Sequence, residues 1–347
     1  MSTLQPTGLR HGFRHCPPFD DPIPCLDTGF GGRTFYVDPV NGLDTYDGLM
    51  SYHPSGLHGP WRTLTYAFSA AAPLGLAVAG VKGPYHDYLV MLPGVYEPLE
   101  TWPITVPATK DSVHVIGSGL PGFNSPEIGT LGAYTVAHAT EPTLIIEGKD
   151  FSMEGVKIFG PTGDFPVVRI NETLAALRYN WIRGRDDGGD GVEVPAAGLG
   201  WFSRLEHNWI DCYVDTAVAA LVAEESVTFL NNRIMTVGGG IDLLGTADWA
   251  KLLWNRIFSG MTPWVMDFGI HLQDSCASCE IDENKIAKAT AGESGVERRV
   301  FDESAKTSNW FGRNHQLGQY QAGPPAGINK AGNLITDGGV GSGYSTD

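Results

Sequence analysis

The chain has 347 residues, enough for one large core or two ordinary domains. Hydrophobic residues at 42% mark a folded protein, and 45 glycines with 23 prolines point to a turn-rich, mostly β chain. A formal charge of −16 argues against nucleic acid and anionic membranes as partners, and there is no apolar run of about 18 residues to insert into a bilayer.

In chain order, residues 1–33 are rich in proline and glycine, lack periodicity, and read as an extended arm. They hold no apolar signal core, so Sec export is not expected. His11, His15, Cys16 and Cys25 place zinc-ligating side chains in this arm. Gly12, Pro17 and Pro18 oppose the helix that would bring His11 and His15 together, so zinc binding is the alternative to a plain extended segment. Residues 34–85 begin with a short strand at 34–37 and a turn-rich run at 38–60. The alanine-rich apolar segment 64–72 follows, expected to be a helix ended by Pro73 and Gly75. Strands at 88–92 and 113–116, each followed by a glycine-containing turn, open the main body, 86–315.

That body repeats one pattern. Leu177, Asn180 and Ile182 recur as Leu205, Asn208 and Ile210, then as Phe229, Asn232 and Ile234. Leu252, Asn255, Ile257 and Ile281, Asn284, Ile286 complete the clear copies. Successive asparagines lie 28, 24, 23 and 29 residues apart, and Phe151, Glu154 and Val156 align as a degenerate earlier copy. Such a period, with several short β runs per copy, suits one coil of a solenoid. A single coil cannot bury its own apolar residues, so coils must stack. Asparagine suits a coil corner because it tolerates left-handed backbone angles and its amide can bond along a stack of equals. Leucine-rich repeats would need leucine at several fixed offsets, and those leucines are missing. The expected fold is all-β: a right-handed parallel β-helix with a short N-terminal capping helix.

A resemblance supports that reading. The opening segment 35–48, with Asp38, Asn41, Gly42, Asp44, Asp47 and Gly48, leads to Gly59, Pro60, Trp61, Arg62, Thr63 and Leu64. It resembles the start of the pectin-lyase-like superfamily of right-handed parallel β-helices, in which a strand and turn lead to a helix that caps the solenoid. The run Leu92, Pro93, Gly94, Val95, Tyr96 is similar to their first coil. The resemblance spans residues 34–315 and implies the fold. It does not choose an activity, because the superfamily includes lyases, hydrolases, epimerases and phage tailspikes, and several of these groups share this opening. Lyases of this kind use a lysine or arginine base, often with calcium, and hydrolases use clustered aspartates. No motif here carries those roles over residue by residue.

Strand alternation gives a geometric handle on candidate sites. If the repeat isoleucines point inward, then Trp181, Trp209, Arg233, Arg256 and Lys285 point outward. With coils about 4.8 Å apart they make a column of about 19 Å, two tryptophans followed by three cations. Such a column suits either contact with an acidic glycan or packing against another subunit. The acidic, glycine-rich loop with Asp186, Asp187 and Asp190 is read as a solvated turn or a calcium site. Asp211, Asp215, Asp242, Asp248 and Asp267 lie near coil turns and are read as turn residues or as a source of a hydrolase pair. Cys276 and Cys279 have CxxC spacing without a second such pair, and are read as wall residues or as a zinc or redox pair. Residues 316–347 form a glycine-rich tail.

These features define the functional expectation. Proteins of this superfamily mostly work outside the cell, yet this chain shows no signal core and only five cysteines. Assembly in a host cytoplasm followed by lysis reconciles the two. The expectation is therefore a phage structural protein on the virion surface: a spike, tail protein or head decoration. It is expected to be homotrimeric, to meet other virion proteins through its terminal arms, and to have host surface polysaccharide as a further partner. No cofactor is expected apart from the calcium alternative. The alternatives are an extracellular polysaccharide lyase or glycoside hydrolase acting on an acidic polysaccharide, and a non-catalytic carbohydrate-binding protein.

Overall fold

The computed structural model describes residues 33–52, 56–75, 86–96, 99–117, 130–131, 141–161, 163–184, 189–195, 200–212, 219–245, 247–259, 266–273, 276–288, 296–302, 308–312, 314–317 and 334–336. The arm with His11, His15, Cys16 and Cys25 lies outside these residues. The chain winds as a right-handed parallel β-helix in which each coil between Val113 and Asp302 gives one strand to each of three sheets, here A, B and C. One coil runs from Ala176–Arg178 in sheet A to Trp181–Arg183 in sheet B and Val192–Val194 in sheet C. The next returns to sheet A at Ser203–Glu206.

Register follows the inward side chains. In sheet A, Phe35, Leu89, Val115, Met153, Leu177, Leu205, Phe229, Leu252, Ile281 and Phe311 stack in one buried row. In sheet B the row is Ile158, Ile182, Ile210, Ile234, Ile257 and Ile286, all fully buried. A slip of one residue would turn every one of these isoleucines to solvent. Each contributes roughly 1.5–3 kcal/mol by burial, so register is strongly specified. The pairing places Met153, not Phe151, opposite Leu177. The degenerate copy therefore aligns two residues later than its sequence suggests, on the same face because a strand alternates with period two.

The asparagines form a ladder on the inner side of the turn from sheet A to sheet B. Asn180, Asn208, Asn232, Asn255, Asn284 and also Asn314 are buried. Each side-chain amide donates to a strand carbonyl one coil back, as Asn208 does to Leu177, and those from Asn180 to Asn284 also donate to the oxygen of the next asparagine. That oxygen also accepts the backbone N–H of the preceding rung, as in Asn208 to Asn232. The left-handed residue is not the ladder asparagine but its predecessor: Tyr179, His207, Asn231, Trp254 and Glu283 have φ between 51° and 62°. The corner is a two-residue bend. Its first residue turns the chain and projects outward, and the second returns to extended geometry with its amide inside. Asparagine is there for its hydrogen bonds, not for its tolerance of positive φ.

The N-terminal end is closed by a helix shorter than its sequence suggests, Leu64–Phe68, with Leu64, Ala67 and Phe68 buried. Thr63 Oγ1 accepts from the Tyr66 N–H, and Glu100 accepts from the N–H groups of Leu64 and Thr65. Ser69 ends it: its backbone is extended and its hydroxyl accepts from Ala71, so Ala70–Ala72 turn instead of continuing the helix. The acidic residues of the opening segment serve the same closure. Asp38 accepts from Val40 and Asn41, Asp44 from Arg62 and Thr63, and Asp47 from Leu49. A Cβ at Gly42 would sit 2.1 Å from the Trp61 carbonyl, which leaves room for glycine alone. At the other end, Leu334–Thr336, within the glycine-rich tail, pairs in parallel with His315–Leu317 and extends sheet B.

Candidate functional site

The outward side of sheet B brings the predicted column together. Trp181 pairs with Trp209, Trp209 with Arg233, Arg233 with Arg256, and Arg256 with Lys285. Lys157 extends it at one end, opposite Trp181. Arg233, Arg256 and Lys285 are exposed, whereas both tryptophans are half-buried. The indoles are held by the protein itself. Trp181 donates its ring N–H to Asp211 Oδ2 at 2.8 Å, and Trp209 donates to Asp211 Oδ1. Lys157 lies 4.8 Å from the Trp181 ring and Arg233 4.0 Å from that of Trp209. The two rings are 6.2 Å apart and tilted, so they form an anchored wall and not a flat platform for a sugar.

Asp211 is thus the acceptor of both indoles. Burial pushes its carboxyl up, and the indole hydrogen bonds with Arg183 and Arg233 pull it back. Replacing Asp211 by asparagine keeps the shape but leaves an amide N–H facing an indole N–H. The expected cost is about 1–2 kcal/mol, with a shift in tryptophan emission, read by chemical denaturation and fluorescence.

The other candidate carboxylates do not join Asp211. Asp242 belongs to sheet C, where it is buried and 2.9 Å from His271 Nδ1, with the Gln273 amide beside it at 3.3 Å. Asp248 instead accepts from the Ala277 N–H at a turn. Asp215 lies outside the described residues, as does the side chain of Asp267. Of the acidic loop, Asp186 and Asp187 also lie outside them. Asp190 accepts from the Ala219 N–H, and its carboxyl is pushed up to about 6. Burial is the main cause, with Glu193, Asp164 and Asp242 adding repulsion. Sheet C therefore carries an outward row of Arg169, Glu193, Val222, Asp242 and His271. Arg169 pairs with Glu193 at 2.7 Å. Cys276 and Cys279 are buried wall residues whose thiols donate to the carbonyls of Leu243 and Ala247. Burial raises the Cys276 thiol to about 11, well away from the range of a reactive thiolate.

No family model matches the chain, and no curated protein does. Among solved structures, pectin methylesterase from carrot is similar at 15% identity and a TM-score of 0.36, over 82% of this chain and 86% of that one. Likeness at this level carries neither a substrate nor a residue across.

A group of exposed large rings lies elsewhere, around the outward face of sheet A. Phe202 is 62% exposed, Trp249 70% and Trp254 59%, with Trp201 and Trp310 about half exposed. Phe202, Trp249 and Trp254 also occupy left-handed backbone, with φ of 61°, 63° and 62°. Phe202 and Trp249 stand at the turn into a sheet A strand, and Trp254 at the turn out of one. Half-buried Leu230 and Leu253 sit between them on the sheet. A left-handed corner costs a side-chain-bearing residue roughly 1–2 kcal/mol, and glycine would avoid it. Placing a large ring there, in water, forgoes burial as well. Strand alternation read from the sequence singles out the residue after each ladder asparagine and so misses Trp254, which stands before one. The available signal was that preceding position, which the bend turns outward.

Proposed function

We propose that the chain is a structural β-helix of a phage particle, assembled as a homotrimer through the outward face of sheet A and displayed on the virion surface. The observation that carries this reading is the set of exposed aromatic rings, Phe202, Trp249, Trp254 and Trp310, around that face. Tryptophan clustered with leucine is the composition of an interface core, and an exposed cluster of this kind is rare on a monomer. The cationic column of sheet B, Arg233, Arg256 and Lys285, lies on a different face and suits the carboxylates or sulfates of a host glycan. Its cations stand out against the net charge of −16.

Sedimentation of the full chain tests the assembly. A trimer at micromolar concentration is expected, and Trp249→Ser with Trp254→Ser should weaken it by at least tenfold while leaving the circular dichroism of the β-helix unchanged. A wild-type monomer that depolymerises an acidic polysaccharide would overturn the reading. That outcome belongs to a second reading, a polysaccharide-cleaving enzyme, which the sheet C group of Asp190, Glu193, Asp242 and His271 favours. A carboxyl raised to about 6 beside other carboxylates has the character of a general acid. New ultraviolet absorbance from a double bond would mark lyase chemistry, and new reducing ends without it hydrolysis. Either activity should disappear in His271→Ala.

A further inference from the structure

Near the N-terminal cap, away from the sheet B column and the exposed aromatic rings, three side chains from successive coils converge. His86 immediately precedes strand Asp87–Met91, His114 lies in Val113–Gly117, and Asp150 occupies the turn before Ser152–Glu154. These strands are consecutive neighbours in sheet A. His86 Nδ1 is 2.7 Å from His114 Nε2 and 3.8 Å from Asp150 Oδ2, and the three ligand atoms all lie within 4.8 Å of one another.

Two of the three are held from behind. His114 Nδ1 is 2.6 Å from Ser152 Oγ, and Asp150 Oδ2 accepts from Ser112 Oγ at 3.0 Å. With His114 donating from Nδ1 to Ser152, its Nε2 lone pair faces His86. Two neutral imidazoles in that contact share one proton, carried by His86 Nδ1. A cation placed between them replaces this proton, which moves to His86 Nε2, so two nitrogen lone pairs and one carboxylate oxygen converge on it. Protein ligands at about 2.0–2.2 Å in tetrahedral geometry stand about 3.3–3.5 Å apart. The histidine nitrogens must part by roughly half an ångström to meet that, and the carboxylate must close on His86 by about as much and on His114 by up to about 1.5 Å. A hydrogen-bond partner behind the ring, as Ser152 is for His114, is what orients a ligating imidazole.

We propose that His86, His114 and Asp150 form a binding site for zinc or a similar borderline divalent cation, with water as the fourth ligand. Two imidazoles with one carboxylate select such an ion over calcium or magnesium, which prefer oxygen. The entrance is open, since the side chains of His86 and Asp150 are 32% and 41% exposed while His114 is buried. A bound ion would tie three coils together beside the capping helix, so its effect is structural stapling of the solenoid's N-terminal end.

The test uses the full chain after chelator treatment, in a Cys16→Ser, Cys25→Ser background that removes the thiol ligands of the arm. Calorimetric titration with zinc is expected to show one site per chain, and saturation to raise the thermal midpoint by several degrees. Calcium and magnesium should do neither. The more exposed ligands give variants that fold: His86→Gln and Asp150→Asn should leave the metal-free midpoint within a degree or two and weaken zinc at least tenfold. Equal zinc affinity in those variants, no zinc binding in the parent, or a stronger response to calcium would overturn the assignment.

Discussion

Replacing Asn232 by alanine is expected to destabilise the protein by about 4 kcal/mol, a large share of a typical folding free energy. The side chain is fully buried and sits mid-ladder. Its oxygen accepts from the Asn208 backbone N–H and the Asn208 amide, both at 3.0 Å. Its own amide donates to the Leu205 carbonyl at 2.7 Å and to Asn255 at 3.0 Å. Alanine leaves the Asn208 N–H and the Leu205 carbonyl buried without those partners, and each such group costs about 1–3 kcal/mol. The residue before it is the control. Asn231 has φ 51° and is only partly buried, and its amide contacts His207 Nδ1. Asn231→Gly should change stability by less than about 1 kcal/mol, because glycine relieves the left-handed backbone. Denaturant midpoints of the two variants measure the contrast. Equal effects would mean that the ladder does not pin the corners.

Asp190→Asn is expected to stabilise the protein at neutral pH, by at most about 3 kcal/mol. In the folded chain its carboxyl is pushed from the ordinary 3.8 up to about 6, chiefly by burial. The folded state therefore holds this proton more tightly than the unfolded state. The group's contribution is most favourable below about 4, declines as pH rises toward about 6, and stays at its least favourable value above that. Two pH units at 1.36 kcal/mol each set the ceiling, and the side chain's partial exposure lowers it. Asparagine can still accept the Ala219 N–H without carrying the charge. The stabilisation of the variant over wild type should grow from pH 4 to pH 7 in thermal unfolding. If the difference is flat across that range, Asp190 is not the buried, repelled carboxyl described.

Whatever the solenoid repeats is legible in the order of amino acids. Leu177, Asn180 and Ile182 recur with constant internal spacing, and strand alternation then dictates which neighbours face out. The order Trp181, Trp209, Arg233, Arg256, Lys285 comes from that parity alone, because parallel in-register stacking puts equivalent residues side by side. Even the extra rung at Asn314, three residues after Phe311, obeys the same rule.

Features that the repeat does not encode emerge only once the coils are stacked. Nothing in the pattern says that Asp211, two residues after Trp209, takes both indole N–H groups and ties the tryptophans down. The left-handed angle falls on Trp254 and not on Asn255 because the ladder amide must point inward to reach a carbonyl one coil away. That choice turns a large ring out to solvent. His86, His114 and Asp150 meet although 28 and then 36 residues separate them, the second interval longer than any in the regular repeat. Their loops differ in length, so no sequence offset marks them as neighbours; sheet A does, by stacking the three strands whatever the chain does in between.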